Sequence, residues 1–450
     1  MHLKGWRSVR VLALVAALGL ILAACTGDDS TDGTDGETSA ETGSTTGSTD
    51  EQVTLEVWTW GSVDDTLAIL EEQFESENPN VDVVITEQAF DSYFGLVRNA
   101  LASKTGPDVF QMFANSGIFD FHLGLVPLTD YVTPEQQSDL LGWENVSAGR
   151  SIDGAPYGVP YLSQGYPWYY NRALFEQAGL DPDNPPTNWN DFLAACDALN
   201  AAGITPIING FGDGYGVEQF MDVFMIQMVP QEELVTYNQD PDWSRPELVQ
   251  ALTYTQDLLD HGCTDPDAAG FPMWPNSLNR FASGQGAIFQ GLISDVANWA
   301  DFEDDLGEDL GVWLGPLLPD AVYDQPPLDY SPNLAWSING VSENPDVAFE
   351  WISLVTSQAG QEQAWETNGS MPNNTLAEVS SDYPPAETIL GWVADPNVVK
   401  VSGPVPFMRP AVDSTFATTV AGIYTGALTI EDLMAQVQTV DDALPPIPEA

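Results

Sequence analysis

Basic side chains are nearly missing from this chain. Of 450 residues only 11 are Lys or Arg, against 67 Asp or Glu, for a formal net charge of −56. Lys4, Arg7 and Arg10 sit at the extreme N-terminus, which leaves Lys104, Lys400 and six arginines for everything that follows. Such a surface repels nucleic-acid backbones, anionic lipid and polyanionic ligands, so no nucleic acid is expected as a partner and a neutral or cationic guest is favoured. The plain account of the acidity is solubility in a saline exterior. Histidine is scarce as well. His2, His122 and His261 are scattered, which gives no zinc framework, and neither metal nor cofactor is expected. No Gly-x-Ser-x-Gly elbow or phosphate loop occurs. With so many carboxylates any cleft contains a pair at glycosidase-like separation, so such a pair signals nothing. After residue 24 no apolar run is long enough to span a bilayer.

What is present starts with an export signal. The three early cations precede an apolar run over residues 11–24, which is short for a membrane span and ends in Leu22-Ala23-Ala24-Cys25. This order predicts a signal peptide over residues 1–24. The Leu-Ala-Ala-Cys ending resembles the bacterial lipobox, which implies that Cys25 is acylated and holds the exported protein on the outer face of the cell membrane. Residues 25–52 are dominated by Thr, Ser, Gly, Asp and Glu, with almost nothing to bury. They are expected to form a disordered tether, and 25 residues of flexible coil reach on the order of 25–30 Å.

The folded body opens with an alternating strand from Val53 that ends in Trp58-Thr59-Trp60-Gly61. Asp64 can cap a helix that places Leu67, Leu70 and Phe74 on one face, stopped by Asn78-Pro79. Residues 81–85 read as a strand buried on both faces. Phe90, Tyr93, Val97 and Leu101 form a second helical stripe, and Gly106-Pro107-Asp108 leads into a strand over 109–113. This rhythm predicts a parallel α/β sheet, whose ligands bind at the carboxyl ends of the strands. Trp60, Gly61 and Asp108 are therefore candidate site residues; Trp58 fits a site or the core equally. Cys196 and Cys263 can form a disulfide in an exported chain. The alternative is a buried free thiol, because Cys196 shares a helical face with Trp189, Phe192 and Leu199.

The middle of the chain carries the most specific patterns. Asp153-Gly154 precedes Tyr157-Gly158-Val159-Pro160, then come Tyr169-Tyr170-Asn171-Arg172-Ala173-Leu174-Phe175-Glu176 with Ala178-Gly179-Leu180, and Pro186-Thr187-Asn188-Trp189-Asn190-Asp191-Phe192. Phe281, Gly284, Ala287, Ile288 and Gly291 follow, then Pro316-Leu317-Leu318-Pro319, Ala348-Phe349 and Gly369-Ser370-Met371-Pro372. In this order the segments resemble the family 1 extracellular solute-binding proteins of bacterial ABC importers, the maltose- and oligosaccharide-binding group. Arg172 and Asp191 stand where that family usually has Lys and Glu.

The resemblance implies a two-lobed periplasmic-binding-protein-like α/β fold of type II. The N-terminal lobe would comprise residues 53–165 and 335–370, the C-terminal lobe 166–334 and 371–450. Three hinge crossings are implied near 162–168, 333–336 and 367–371. The ligand would lie between the lobes, and a monomer would deliver it to the transmembrane subunits of a permease. A neutral mono- or oligosaccharide needs rings for its apolar faces and carboxylates, amides or Arg for its hydroxyls. Tyr166, Trp168, Trp274 and Trp336 are the candidate rings. Asp108, Asp213 and Arg409 are the polar candidates, with Gly291 and Met371 carried over from the family patterns. One departure bears on the ligand: many sugar binders have Trp shortly after this glycine, whereas Gly291 is followed by Leu292-Ile293-Ser294 and the next Trp is Trp299. Alternatives are a surface-tethered carbohydrate-active enzyme, a lectin-like adhesin, or an importer component for an osmolyte.

Overall fold

The computed structural model describes residues 52–60, 64–147, 154–237, 241–293, 306–424 and 426–445. The expected signal peptide, Cys25, the tether up to residue 51, Gly61 and Trp299 lie outside the described residues. Twelve strands are formed among the described residues. They are β1 (Val53–Thr59), β2 (Val81–Glu87), β3 (Val109–Phe113), β4 (Val159–Pro160), β5 (Leu162–Gly165) and β6 (Trp168–Asn171), then β7 (Ile288–Gln290), β8 (Leu310–Trp313), β9 (Leu328–Pro332), β10 (Leu334–Ile338), β11 (Met371–Pro372) and β12 (Lys400–Val401).

The first sheet has the order β2-β1-β3-β10-β4. β1 runs parallel to β2 from Val53↔Val81 to Thr59↔Glu87, and parallel to β3 at Val57↔Val109. β10 inserts antiparallel beside β3. The helices Asp64–Glu77 and Phe90–Ser103 make the crossovers, burying Leu67, Leu70 and Phe74 from the first and Tyr93 and Val97 from the second. One expectation is corrected. β2 is the sheet's edge strand and is covered on one face only, so Val84 is 41% exposed rather than buried. A hydrophobic core unites this early part of the chain with a later return, residues 334–364, including Trp336, Trp351 and Ile352.

A second core gathers residues 166–318 with 401–437. Its sheet has β6 between β7 and β8, both antiparallel to it. Its central helix, Tyr215–Met228, is buried along its whole length after Tyr215. Phe220, Met221, Val223, Phe224, Met225 and Ile226 go all the way round the helix, so no face is left for solvent. Cys196, from the helix Trp189–Ala201, is disulfide-bonded to Cys263, with Cα atoms 5.2 Å apart. A third sheet, β11-β5-β9-β12, joins strands from segments far apart in the chain. There β5 and β9 approach so closely that a Cβ at Gly165 would collide with the Asp329 carbonyl, so glycine is required at that position. No helix among the described residues is long and apolar enough to cross a membrane.

Candidate functional site

The carboxyl ends of β1 and β3 present rings. Trp60 follows β1, half-buried, with its ring centroid 5.0 Å from Tyr93, 5.1 Å from Phe113, 5.8 Å from Phe94 and 6.2 Å from Phe90. Its position is fixed from below by Gln111, whose Oε1 accepts from the Trp60 amide at 3.3 Å and from Thr59 Oγ1 at 2.5 Å. Gln111 Nε2 is left buried without a partner. Just past β3, Asn115 has φ +67°, an uncommon left-handed conformation for a non-glycine, and both its side-chain amide atoms are buried and unpartnered. Orphan polar groups at strand ends are what a ligand's hydroxyls would satisfy.

A second wall faces these rings. Phe90 meets Tyr215, the first residue of the long buried helix, at 5.9 Å, and Tyr215 meets Trp274 edge-on at 5.3 Å. The Trp274 loop is held by Asp213, which accepts from the amides of Met273 (3.0 Å) and Tyr215 (3.3 Å). One turn into the helix lies Glu218, 1% exposed, with neither carboxylate oxygen hydrogen-bonded. Burial raises its carboxyl well above the usual range, reinforced by Asp413, Asp222 and Asp213. The helix N-terminus favours an anion there by roughly 0.3–1 kcal/mol, small against the several kcal/mol that burying a lone carboxylate costs.

Asp222, a further turn along, is raised by burial and by Asp329, while its Oδ1 accepts from the Val405 amide at 3.0 Å. Burial pushes Asp329 up to about 8, opposed by the Gly403 amide. Gly403 lies so close to the Asp222 carboxyl that no side chain fits there. Burial pushes Asp413, in the helix Pro410–Thr419, up to about 6. Tyr166 is 8% exposed, and its phenol is raised first by burial and then by Tyr215, Asp222, Asp329 and Glu218. Arg409, just before the Asp413 helix, donates from Nε to Asp120 at 2.8 Å, which ties that helix to Ser116–Phe121 beside β3.

The structure thus brings Trp60, Tyr166, Asp213 and Trp274 to two facing walls, and places the other candidates elsewhere. Trp168, 1% exposed, packs against Phe192 (5.4 Å), Phe220 (5.6 Å) and Trp313 (5.7 Å) in the second core. Trp336, 0% exposed, lies in the first core against Tyr161. Neither ring has a face open to a ligand, because β6 and β10 are covered on both sides. Asp108 is at the amino end of β3, where it accepts from the Glu56 amide at 3.0 Å and from Ser342 Oγ, so its role is to tie strands together. Gly291 is buried, its amide reaching the Pro167 carbonyl at 3.3 Å. Met371, in β11, lines a different depression of about 820 Å³ together with Leu141, Tyr330 and Lys400. Arg409 is engaged by Asp120.

Sequence reasoning missed Phe90, Gln111, Asn115, Tyr215, Glu218 and Asp413. For Glu218 and Asp222 a signal existed: apart from Gln219 and Gln227 the rest of their helix is apolar on every side, the pattern of a helix with no solvent face to offer them.

Two cores around facing walls of rings and orphan polar groups define a two-lobed solute binder. The bacterial extracellular solute-binding protein family matches residues 60–362, more than half of the chain, and the chain belongs to that family of ABC-importer components. Among curated relatives, a Brucella abortus (strain 2308) protein with only a general binding-protein name is 25% identical over 201 residues, 44% of this chain and 47% of that one. The sn-glycerol-3-phosphate-binding periplasmic protein of Yersinia pestis bv. Antiqua is 24% identical over 232 residues, 49% of this chain and 46% of its own length. The chain thus spans about half the length of these relatives. Solved structures match over nearly all the folded body. A chitin oligosaccharide binding protein superposes with TM-score 0.75 at 20% identity, covering 87% of this chain and 98% of that one. A maltose-bound protein of T. maritima gives 0.71 at 18% identity, covering 87% and 100%. These likenesses establish the two-lobed α/β fold.

Proposed function

We propose that this protein is the lipid-anchored capture component of an ABC importer. It closes on a carbohydrate without negative charge, a neutral mono- or oligosaccharide in the simplest case, and delivers it as a monomer to a membrane permease. In this reading Cys25 carries the lipid, residues 53–165 with 335–370 and 166–334 with 371–450 are the lobes, and the cleft binds rather than reacts. The observation that carries it is the pairing of the Trp60–Phe90 rings with Tyr215 and Trp274 opposite, beside buried unpartnered amides and carboxylates. Flat rings suit the CH-rich faces of a sugar, and the polar orphans suit its hydroxyls. A phosphorylated polyol, the ligand in the Yersinia relative's name, fits poorly. Arg409 is already taken by Asp120, and the carboxylates would repel a phosphate.

The test is a thermal-shift screen over mono- and oligosaccharides. A ligand at 100 times its Kd should stabilise the protein by about 2.7 kcal/mol. A panel that produces no shift overturns the reading, and product formed from an oligosaccharide would move it to the enzyme alternative.

A further inference from the structure

The acids beside Tyr215 raise a question that a neutral sugar leaves open. Glu218 and Asp222 are 1% and 0% exposed, and Glu218 Oε1, Glu218 Oε2 and Asp222 Oδ2 lack hydrogen-bond partners. Gln290, also 0% exposed, adds another orphan acceptor. Its Nε2 reaches the Tyr166 carbonyl at 3.5 Å while its Oε1 has no partner. This part of the cleft therefore holds an excess of buried acceptors. Such groups call for hydrogen-bond donors, and carboxylates call for positive charge.

Among the described residues neither is set against these oxygens. The arginine ion pairs among the described residues go to Asp120, Asp183, Glu233, Glu247 and Asp265, not to Glu218, Asp222 or Asp413. A metal ion does not fit, because among the described residues no three His, Cys, Asp or Glu side chains converge as ligands. The surroundings match an organic cation better. Tyr215 and Trp274 stand edge to face at 5.3 Å, and Phe90 closes from the other wall at 5.9 Å. Ring faces beside carboxylates are a setting in which an ammonium group gains both ion-pair and cation–π attraction.

We propose that the carbohydrate taken by this cleft carries a protonated amine, bound by Glu218 and Asp413 and flanked by Tyr215 and Trp274. The proposal rests on the importer reading above and narrows its ligand class. An ammonium brings three donors to the orphan acceptors, which a hydroxyl in the same place cannot match.

The experiment uses matched sugars: glucosamine with glucose, galactosamine with galactose, and the chitosan disaccharide with cellobiose and with its N,N'-diacetylated form. Choline and putrescine serve as amines without a sugar ring. Calorimetric titration is run on the wild type and on Glu218→Gln, with Asp413→Asn as the second variant should the first fail to fold by circular dichroism. At least one amine-bearing sugar should bind tenfold or more tightly than its hydroxyl counterpart. Glu218→Gln should weaken that sugar by at least about 30-fold, the scale for loss of one partner of a buried charge pair. Its effect on the neutral counterpart, whose hydroxyl exchanges one neutral hydrogen bond for another, should be at least about fivefold smaller than its effect on the amine. A hydroxyl or acetylated member that binds as well as the amine overturns the proposal and leaves the carbohydrate reading standing. Binding of choline or putrescine alone supports the cationic site and overturns the sugar. Silence across the whole panel overturns both.

Discussion

Raising the pH from 5 to 7 should destabilise the ligand-free protein, and Asp329→Asn should remove a large part of that loss. Asp329 is 2% exposed, and burial lifts its carboxyl to about 8, whereas an unfolded aspartate titrates near 4. Across roughly pH 4–8 the folded state thus keeps a proton that the unfolded state has released. The contribution is complete below about pH 4 and is lost progressively as the pH rises through 8, at about 1.4 kcal/mol per pH unit. Between pH 5 and 7 this group alone accounts for about 2.7 kcal/mol. A cooperative unit of about 400 residues has an unfolding entropy on the order of 0.8 kcal/mol/K, so Tm should fall by about 3 °C. Repulsion among the surface carboxylates acts in the same direction but is screened by salt. Calorimetric scans of wild type and Asp329→Asn in 0.5 M NaCl suppress the surface contribution, and the difference between them reports Asp329 above the background of Glu218 and Asp222, whose raised carboxyls act in the same direction. The asparagine cannot titrate, yet it can still accept from the Gly403 amide. Its Tm should depend less on pH than that of the wild type; identical slopes would refute a protonated carboxyl at position 329.

Four further outcomes follow from the packing. Trp168→Ala should destabilise by about 3–5 kcal/mol in chemical denaturation, as expected for emptying a core ring site, because the ring supports the second core and not the ligand. Trp60→Ala should leave the circular dichroism spectrum intact and weaken ligand binding at least about tenfold by titration calorimetry. Reducing Cys196–Cys263, or replacing both with Ala, should cost about 4 kcal/mol, the loop-closure scale for a sequence separation of 67, read from denaturant midpoints with and without reductant. A double-mutant cycle on Asp120→Asn and Arg409→Gln should show a coupling of about 1–3 kcal/mol in stability, since both side chains are largely buried and 2.8 Å apart.

Local patterns carried the first part of the fold well. The apolar spacing in 64–77 and 90–103 and the β-branched runs at 53 and 81 have one physical solution each, and the structure adopts it. What they could not show was which strand lies at an edge. Val84 is exposed because β10, returning from residues 334–338, joins beside β3 and leaves β2 outermost. The same limit explains the tryptophans. Trp168 and Trp336 stand in short aromatic strands, and whether a strand face meets a ligand or a helix depends on partners far away in sequence. Trp274 stood out in the sequence because prolines on both sides leave its ring no helical face to serve, and the structure sets it edge-on to Tyr215. Glu218 was overlooked for the opposite reason: in a chain with 67 acids, one more carboxylate reads as solvated surface until the ring of apolar positions around its helix is counted.

The protons that stabilise the ligand-free protein also compete with its ligand. Burial and the neighbouring acids lift the Glu218 carboxyl well above its usual range, which favours its neutral form in the empty cleft. Every titratable group around it acts in that direction or is neutral: Asp213 and Asp222 from the same stretch of chain, Asp413 from the helix Pro410–Thr419, and the phenols of Tyr166 and Tyr215. The nearby Arg409 is held by Asp120. An ammonium group engages the ionised carboxylate, so its arrival must expel a proton, and affinity for an amine-bearing sugar should rise with pH until the amine itself deprotonates. A neutral sugar can instead accept a hydrogen bond from the protonated acid and gains nothing from higher pH. Titration calorimetry at pH 6 in two buffers of different ionisation enthalpy separates the two cases. Net proton release on amine binding follows from the linkage. Tight amine binding without proton release would mean that Glu218 keeps its proton in the complex, and the ion pair would have to be abandoned.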